Sequence, residues 1–332
     1  AGNDRRDLPS WRSARKIIAV TSDPALKRDL ETQDRPVAFE QGVRFHPMAL
    51  LRELRPHQWV KNILLFLPLL VMHSADPILY LMVALVAIGF SFGASSIYIL
   101  NDLLDRIHPE KRLRPIASGD LPIPTAMAAS AAIAIAAFML IWMISPGGAV
   151  LTLTYMISSL GYSLWLKKRR WLDVLALAVL FTLRVITGAM VVQVVVSPLL
   201  IGFVFSTFFT LACVKRMTAL SRLATRDHLP GRGYSLRDKM YFGWVSRGAI
   251  GLALSIFAIY VFSAKAATLY ASPGLLALAM LPFGIWMVRV VRMSEQGVED
   301  YDPIVFVFKD IGGLVLLASF LALVFLAAGD QP

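Results

Sequence analysis

Cysteine, histidine and charged residues are all scarce in this chain of 332 residues. It has one cysteine, Cys213, five histidines and 17% charged residues. A single cysteine excludes an internal disulfide, and no histidine or cysteine cluster has the spacing of metal ligands. A nucleophile–base triad and a glycine-rich phosphate loop are also missing. The sequence therefore argues against a hydrolase or an ATP-driven pump.

Apolar residues make up 57% of the sequence, whereas soluble domains usually contain about 45–50%. They are concentrated in blocks of roughly 17–25 residues, the length that crosses about 30 Å of hydrocarbon as a helix. Most blocks are apolar all round, as membrane helices are. We predict an all-α polytopic membrane protein. Its nine expected transmembrane helices cover residues 58–75, 77–100, 122–143, 147–166, 172–192, 197–214, 243–263, 268–291 and 309–328.

Basic residues follow the connections between these blocks in alternation. Lysine and arginine are concentrated in the connections between the second and third, fourth and fifth, sixth and seventh, and eighth and ninth blocks. The other connections carry only Lys265. The net charge of +11 is thus typical of membrane loops and does not indicate a nucleic-acid partner. The alternation of basic connections agrees with a multi-pass protein and the positive-inside rule, and we expect it in the bacterial inner (plasma) membrane. The N-terminus and any active site are expected on the cytoplasmic side.

Residues 1–47 have a different character from residues 48–332, which form the predicted membrane domain. Lys16–Val20 is typical of a short buried strand, and Asp23–Glu31 of a short helix that begins near Pro24. This segment is too small to bury its own core. We interpret it as the end of a soluble α/β domain followed by a linker.

Hard oxygen ligands occur together at the cytoplasmic end of the second block, as Asn101, Asp102 and Asp105. Residues three and four apart share a helix face, so the three side chains are expected to point the same way. This set suits Mg²⁺, which uses one or two carboxylates and completes its octahedron with phosphates and water. A solvated helix end is the simpler alternative.

A basic run, 111–114, follows these acids and contributes Lys111, Arg112 and Arg114. Cations so close to carboxylates are expected where a multiply charged anion bridges them, because arginine binds phosphate oxygens in pairs. Contact with lipid headgroups is the alternative for this run.

A second group straddles the connection between the fourth and fifth blocks and consists of Tyr162, Lys167 and Asp173. It repeats the arrangement of acid and cation between two spans on the cytoplasmic side. Because Asp173 opens the fifth helix, helix capping is a serious alternative.

Polar residues also occur at membrane depth. Arg184 lies about three turns into the fifth block, and Lys61 and Asn62 lie just inside the first. An intramembrane arginine is costly unless it is paired or faces a wet cavity, so it indicates a functional site by default. A structural buried ion pair is the alternative for Arg184. Snorkelling toward the membrane surface and contact with a phosphate are equally natural for Lys61.

With these residues assembled, residues 48–328 resemble the UbiA superfamily of intramembrane prenyltransferases. The resemblance is closest to the branch that includes decaprenyl-phosphate phosphoribosyltransferase. The segments that carry it are Asn101–Asp105, Tyr162–Asp173, Arg55–Asn62 and His108–Gly119.

The resemblance implies a nine-helix bundle with a central cavity, Mg²⁺ as cofactor, and a diphosphate held by two aspartate-rich motifs. It assigns the metal to Asn101, Asp102 and Asp105. The resulting prediction has two sets. The catalytic residues are Asp102, Asp105, Asp173 and Lys167, and the substrate-binding residues are Lys61, Asn62, Lys111, Arg112, Arg114, Tyr162 and Arg184.

One position departs from the family pattern. The first motif of the family usually has a third aspartate, and Pro109 stands in its place here. About four residues are missing after Asp105 relative to close relatives. The shortened motif could weaken metal binding, abolish activity or transfer the role to Glu110.

Residues 1–36 carry a second resemblance, to the C-terminal end of haloacid-dehalogenase-like phosphatase domains. It rests on the acidic motif Gly2–Pro9 before the predicted strand. Asp7 matches the second acid of that motif, while Asn3 occupies the place of the first. Without a nucleophilic aspartate upstream, this segment is not expected to be a phosphatase by itself.

The resemblance leaves two reactions open. One transfers 5-phosphoribose from phosphoribosyl pyrophosphate to a polyprenyl phosphate, a step of cell-envelope biosynthesis, and we favour it. The other moves a polyprenyl group from its diphosphate to an aromatic acceptor. Either reaction implies a polyprenyl lipid, a phosphorylated co-substrate and the bilayer as partners. A membrane transporter is a rival from another class, but the outer connections carry almost no polar recognition residues.

Overall fold

The computed structural model describes residues 8–11, 14, 17–20, 23–32, 36–40, 47–106, 113–223, 228–229, 231–297 and 310–329. The chain divides into two compact units. One consists of residues 1–54 with 102–129, and the other of residues 55–101 with 130–332. The long helix α5, Pro77–Leu104, belongs to both because the division falls within its last turn.

A small α/β arrangement forms the N-terminal part of the first unit. Its elements are α1 (Leu8–Trp11), β1 (Ile17–Val20), α2 (Pro24–Glu31) and β2 (Val37–Glu40). The two strands pair in parallel with Ile17 opposite Val37. Parallel strands need a crossover connection, which α2 provides.

The predicted strand and helix of this segment are confirmed, although β2 was not predicted. The carboxylate of Asp23 accepts a hydrogen bond from the Ala25 N–H at 2.9 Å and caps α2. Pro24 occupies the first helical turn, where its missing N–H costs nothing. Leu26 and Leu30, one turn apart, pack with Trp11, Ile17 and Ala19 in a small apolar core. The remaining helices of the unit include α3 (Pro47–Glu53) and α6 (Pro115–Ser118), which pack together.

The second unit is built mainly of helices. A first 3-10 helix (Pro56–Phe66) leads into α4 (Leu67–Val71), and a second (Leu166–Lys168) precedes α9. After α6 of the first unit, the α-helices are α7 (Ile123–Ile144), whose first seven residues belong to the first unit, α8 (Pro146–Leu164), α9 (Leu172–Val191), α10 (Pro198–Ser221), α11 (Asp238–Val261), α12 (Ala264–Leu269), α13 (Pro273–Leu278), α14 (Met280–Glu295) and α15 (Ile311–Ala328).

Serine residues cap three of these helices. The hydroxyls of Ser145, Ser197 and Ser263 each accept a hydrogen bond from the N–H three residues on, at 3.1–3.2 Å. Pro146 and Pro198 follow two of them at the first helical position. These Ser-Pro pairs explain why short connections join long apolar helices so sharply.

Helices α9, α10, α11 and α14 enclose the largest apolar core. Cys213 of α10 is fully buried within it, as expected of a packing residue. A second core lies among the first 3-10 helix, α5, α8 and α9. By contrast, only 17% of the apolar windows of α7 and α15 is buried. The outward faces of these two helices are therefore left for lipid.

Seven helices in the described residues are long and apolar enough to cross a membrane. They correspond to seven of the predicted spans, and the protein is an integral membrane protein. The predicted count of nine is not confirmed. The expected fourth span is present as α8, but its glycine, serine, threonine and tyrosine residues make it less apolar than the seven.

The expected first span, residues 58–75, is instead a 3-10 helix of 11 residues followed by the five-residue α4. Runs of 3-10 helix longer than three or four residues are uncommon. This one packs closely against α9 at Gly188, where a Cβ atom would lie 2.0 Å from the Leu65 carbonyl oxygen. Lys61 and Asn62 are buried on this segment, with 6% and 4% of their surface exposed.

Candidate active site

Asp173 lies in the first turn of α9 and is completely buried. Its carboxylate does not cap the helix, because the N-cap residue is Trp171 and no side chain bonds the first amides. Instead it accepts hydrogen bonds from the Tyr162 hydroxyl at 2.9 Å and from the guanidinium groups of Arg216 and Arg232. The structure thus brings Tyr162 and Asp173 together, as the sequence predicted.

The two arginines reach Asp173 from different parts of the chain. Arg216 of α10 binds both carboxylate oxygens, at 2.5 and 3.0 Å, and Arg232 binds one at 2.9 Å. Both also donate to the Tyr162 hydroxyl, at 2.9 and 3.2 Å. We call these four residues the Asp173 cluster.

The Asp173 cluster carries two cations and one carboxylate, so its formal charge is +1. Arg216 is 4% exposed and the Arg232 side chain 24% exposed. Burial lowers the pKa of Arg232, but its contacts with Tyr162 and Asp173 outweigh this and raise it above the ordinary value. The cluster therefore presents a stably charged guanidinium at its more accessible side, which can bind an anion through paired N–H groups.

The segment before α11 is held in place by two further buried residues. The Tyr234 hydroxyl accepts a hydrogen bond at 3.0 Å from the N–H of Trp171, two residues before Asp173. Asp238 accepts from the Ser235 N–H at 2.7 Å and pairs with Arg170. Burial, followed by the charge of Asp173, raises the pKa of Tyr234 to about 12. Tyr234 and Asp238 thus fix the loop that carries Arg232.

Arg184 lies three turns further along α9 and is 4% exposed. Its guanidinium donates to the Asn62 side-chain oxygen at 3.0 Å, the Tyr155 hydroxyl at 2.7 Å and the Leu180 carbonyl at 2.8 Å. It also lies over aromatic rings, 4.6 Å from the Tyr155 centroid and 4.9 Å from that of Phe181. No carboxylate in the described part of the chain pairs with it. Within that part of the chain, the buried charge is stabilised by dipoles and ring faces.

Asn62 links Arg184 to a neighbouring helix. Its amide nitrogen donates to the Ser91 hydroxyl of α5 at 2.8 Å, while its oxygen accepts from Arg184. Lys61, beside it, donates to the Gln58 side chain at 2.6 Å. Two of the sequence-predicted residues, Asn62 and Arg184, are therefore joined directly.

In the first unit, Asp102 is 2% exposed and forms an ion pair with Arg114. The acidic motif and the last arginine of the basic run that follows it are thus in direct contact. Helix α5 ends at Leu104, however, so Asp105 lies just beyond the helix. The argument from a shared helix face therefore fails, because both of its pairs include Asp105 and the adjacent residues Asn101 and Asp102 point in different directions. Lys111 and Arg112 lie outside the described residues. Lys167 is half-buried in the second 3-10 helix.

The residues predicted to hold Mg²⁺ fit a hard cation in part. The side-chain oxygen of Asn101 is buried and has no hydrogen-bond partner among the residues that the structure describes, as suits a ligand to a cation. Asp102 and Asp105 follow it with carboxylate oxygens. Among the described residues, however, no group of three or more His, Cys, Asp or Glu side chains is placed to hold a metal. Substrate oxygens would have to complete the coordination.

An apolar cavity of about 200 Å³ opens elsewhere in the second unit. It is bordered by α4, α10, α11 and α15, and its lining includes Leu67, Phe203, Phe257 and Leu321. Apolar lining with few polar groups is typical of sites for hydrocarbon chains.

The helices and the buried arginine clusters define an integral membrane protein of the helical-bundle type. Its residues 63–309 match the model of the UbiA prenyltransferase family. The chain belongs to this family, which makes it a transferase and argues against the transporter alternative. A UbiA homolog from Archaeoglobus fulgidus, solved with GPP and Mg²⁺, has the same fold, with a TM-score of 0.61 at 15% identity over 83% of this chain and 99% of that one.

Three relatives span different parts of the chain. Protein y4nM of Sinorhizobium fredii is 31% identical over 97% of this chain and 65% of its own length. Nodulation protein NoeC of Azorhizobium caulinodans is 30% identical over 84% of this chain and 93% of its own. Decaprenyl-phosphate phosphoribosyltransferase of Mycolicibacterium smegmatis is 34% identical over 53% and 58%. The chain thus spans less than two thirds of y4nM and of the phosphoribosyltransferase.

Proposed function

We propose that this protein is a Mg²⁺-dependent transferase that moves 5-phosphoribose from phosphoribosyl pyrophosphate to a polyprenyl phosphate. A phosphate oxygen of the lipid attacks C1 of the ribose, and the bond from C1 to the pyrophosphate oxygen breaks. Pyrophosphate leaves with the electron pair of that bond. Partial sequence identity to decaprenyl-phosphate phosphoribosyltransferases supports this choice of substrates.

The Asp173 cluster is the observation on which the proposal mainly depends. Two guanidiniums around one carboxylate leave an excess positive charge in a buried setting, where electrostatic interactions are stronger than in water. Arg232, the more exposed of the two, is assigned to the departing pyrophosphate. Stabilising charge that develops on a leaving group is often the largest single contribution of an enzyme. Lys167, on the short 3-10 helix before α9, is assigned to the same anion.

The metal is assigned to the end of α5 and the residue just beyond it. Asn101, Asp102 and Asp105 would hold Mg²⁺, with Arg114 beside Asp102. When bound, the cation would withdraw charge from the pyrophosphate oxygens. Arg114 pairs with the Asp102 carboxylate and fixes its direction. Lys111 and Arg112 are assigned to the phosphates of the donor.

Arg184 is assigned to the phosphate of the lipid acceptor, together with Lys61 and Asn62. A buried guanidinium without a carboxylate partner favours an anion beside it, and Asn62 orients it through the 3.0 Å hydrogen bond. The apolar cavity bordered by α4, α10, α11 and α15 is suited to part of the isoprenoid chain. The cytoplasmic orientation of the charged loops belongs to the same proposal.

Labelled substrate tests the reaction directly. Purified protein in lipid vesicles is given labelled phosphoribosyl pyrophosphate, Mg²⁺ and decaprenyl phosphate, and labelled lipid is extracted. We expect label to enter the lipid only when both substrates are present. Labelled prenyl diphosphate with an aromatic acceptor is tested in parallel. Product in that reaction alone would overturn the proposal in favour of aromatic prenyl transfer.

A matched pair of variants tests the Asp173 cluster. Arg232→Gln removes one guanidinium but leaves Arg216 to neutralise Asp173. Arg237→Gln makes the same change of charge at an exposed arginine just before α11. We expect Arg232→Gln to lower kcat by on the order of 10²-fold, as for loss of one transition-state donor, and Arg237→Gln to leave it unchanged. Equal activity in the two variants would show that the cluster does not contact the substrate.

A further inference from the structure

A groove outside the Asp173 cluster opens among α11, α14 and α15. Its volume is about 750 Å³, and its walls are formed by Leu254 of α11, Leu281, Ile285 and Val288 of α14, and Leu316 of α15. Gly284 widens it, because no side chain there fills the space in front of Leu254. The groove is therefore long, apolar and within the membrane-spanning part of these helices.

The same groove has a cationic end. Arg289, Arg292 and Gln296 line it at the C-terminal end of α14. Because they are three and four residues apart, they continue the stripe of α14 that carries Leu281, Ile285 and Val288. One face of the helix thus changes from apolar to basic within about two turns.

The two arginines at this end differ in their partners. Arg289 is neutralised by Asp310, with two hydrogen bonds of 3.0 Å. Arg292 is exposed, and no carboxylate among the residues that the structure describes pairs with it. The basic end of the groove therefore carries a formal charge of +1 from these three groups, and Arg292 is the group available to an anion.

The groove lies on the side of α14 that faces away from the core of the second unit. The opposite face of α14, which includes Trp286, Met287 and Val291, is buried in the core shared by α9, α10 and α11. A ligand in the groove would lie against the outer surface of the bundle and would be supplied by the bilayer. Its chemistry is set by the lining: a hydrocarbon chain along α14 and an anionic group at Arg292.

We propose that this groove binds an anionic glycerophospholipid of the surrounding membrane, with one acyl chain along α14 and the phosphate on Arg292. The position on the outer surface favours a bilayer phospholipid over the polyprenyl phosphate substrate. This inference does not rest on the proposed reaction. It predicts a bound lipid that is neither donor nor acceptor.

Lipid titration followed by native mass spectrometry tests the proposal on the full chain in detergent. The probes are dioleoyl phosphatidylglycerol, zwitterionic dioleoyl phosphatidylcholine, and decaprenyl phosphate as competitor. The variants are Arg292→Gln, which removes the anion contact, and Gly284→Leu, which fills the groove without changing charge. Arg237→Gln is the control for loss of one exposed arginine.

We expect Arg292→Gln to weaken binding of the anionic lipid by on the order of tenfold, the size of one charged hydrogen bond. Gly284→Leu should weaken it as well, and Arg237→Gln should not. Equal binding of both phospholipids, or equal effects of Arg292→Gln and Arg237→Gln, would refute the proposal. If Arg292→Gln lowers thermal stability but not lipid binding, Arg292 is a structural residue and the proposal fails. If Arg292→Gln weakens binding of decaprenyl phosphate but not of phosphatidylglycerol, the groove is a substrate site instead.

Discussion

Replacement of Arg184 by methionine separates its structural role from its functional one. The charge at membrane depth costs about 2.5–3.5 kcal/mol on insertion scales, and methionine of similar length removes it. The change also takes a donor from Asn62 and from the Tyr155 hydroxyl, and each group left buried without a partner costs about 1–3 kcal/mol. The Leu180 carbonyl keeps its bond within the helix.

These contributions have similar size and opposite sign. We therefore expect Arg184→Met to change the free energy of unfolding by less than about 3 kcal/mol, and the variant to fold. Arg184→Lys keeps the charge but cannot make the three divergent contacts of the guanidinium, so it should be the less stable of the two variants. The stability of both variants is measured by heating the protein in detergent and recording how much of the monodisperse peak in size-exclusion chromatography is lost.

Activity should respond in a different order. If Arg184 binds the acceptor phosphate, Arg184→Met should lower incorporation of labelled phosphoribose by at least about 10²-fold, while Arg184→Lys retains part of it. A stable, fully active Arg184→Met protein would refute the assignment of Arg184 to substrate. An unstable Arg184→Met protein rescued in both stability and activity by lysine would indicate a structural cation instead.

Two further predictions concern stability. Gly188→Ala would place a Cβ atom 2.0 Å from the Leu65 carbonyl oxygen and should cost about 3 kcal/mol or more. Gly251→Ala, in open space within α11, should be neutral or stabilise by up to about 1 kcal/mol; similar thermal midpoints for the two would contradict the close contact. At Asp310, the hydrogen bond from Arg289 lowers the pKa of the carboxyl group below its ordinary value of 3.8. The ion pair therefore stabilises the folded protein above pH 3.8. This stabilisation is lost as the pH falls through the lower pKa that Asp310 has in the folded protein. Asp310→Asn should therefore lower stability at pH 7 by at most about 1 kcal/mol, and its difference from wild type should shrink below pH 3.8; a constant difference would exclude the ion pair as its cause.

The positions of the long helices were largely predictable because apolar length alone marks them. The first expected span was different, since an 11-residue 3-10 helix and α4 have the composition of a membrane helix. Periodicity does not distinguish these backbones over so short a stretch. The close approach at Gly188, which fixes that segment, depends on a residue more than 120 positions away in the chain.

The partners of Asp173 were missed for a related reason. The expected sixth span ended at residue 214, at the first basic residues, which placed Arg216 in a loop. In the structure α10 continues to Ser221 and Arg216 is buried. An arginine inside an apolar helix is itself a site signal, as the sequence analysis recognised for Arg184. The sequence carries no comparable signal for Arg232, because its contact with Asp173 depends on the loop that Tyr234 and Asp238 hold in place.

The contact between Gly188 and Leu65 also determines how the first 3-10 helix can move. Asn62 lies one turn before Leu65, and Arg184 lies one turn before Gly188, so two contacts join the same pair of elements. The backbone contact is in effect incompressible, whereas the hydrogen bond between Asn62 and Arg184 can lengthen. Crowding at Gly188 would therefore push the 3-10 helix outward and lengthen the hydrogen bond between Asn62 and Arg184. A single methyl group at position 188 would in this way act on the buried arginine one turn away.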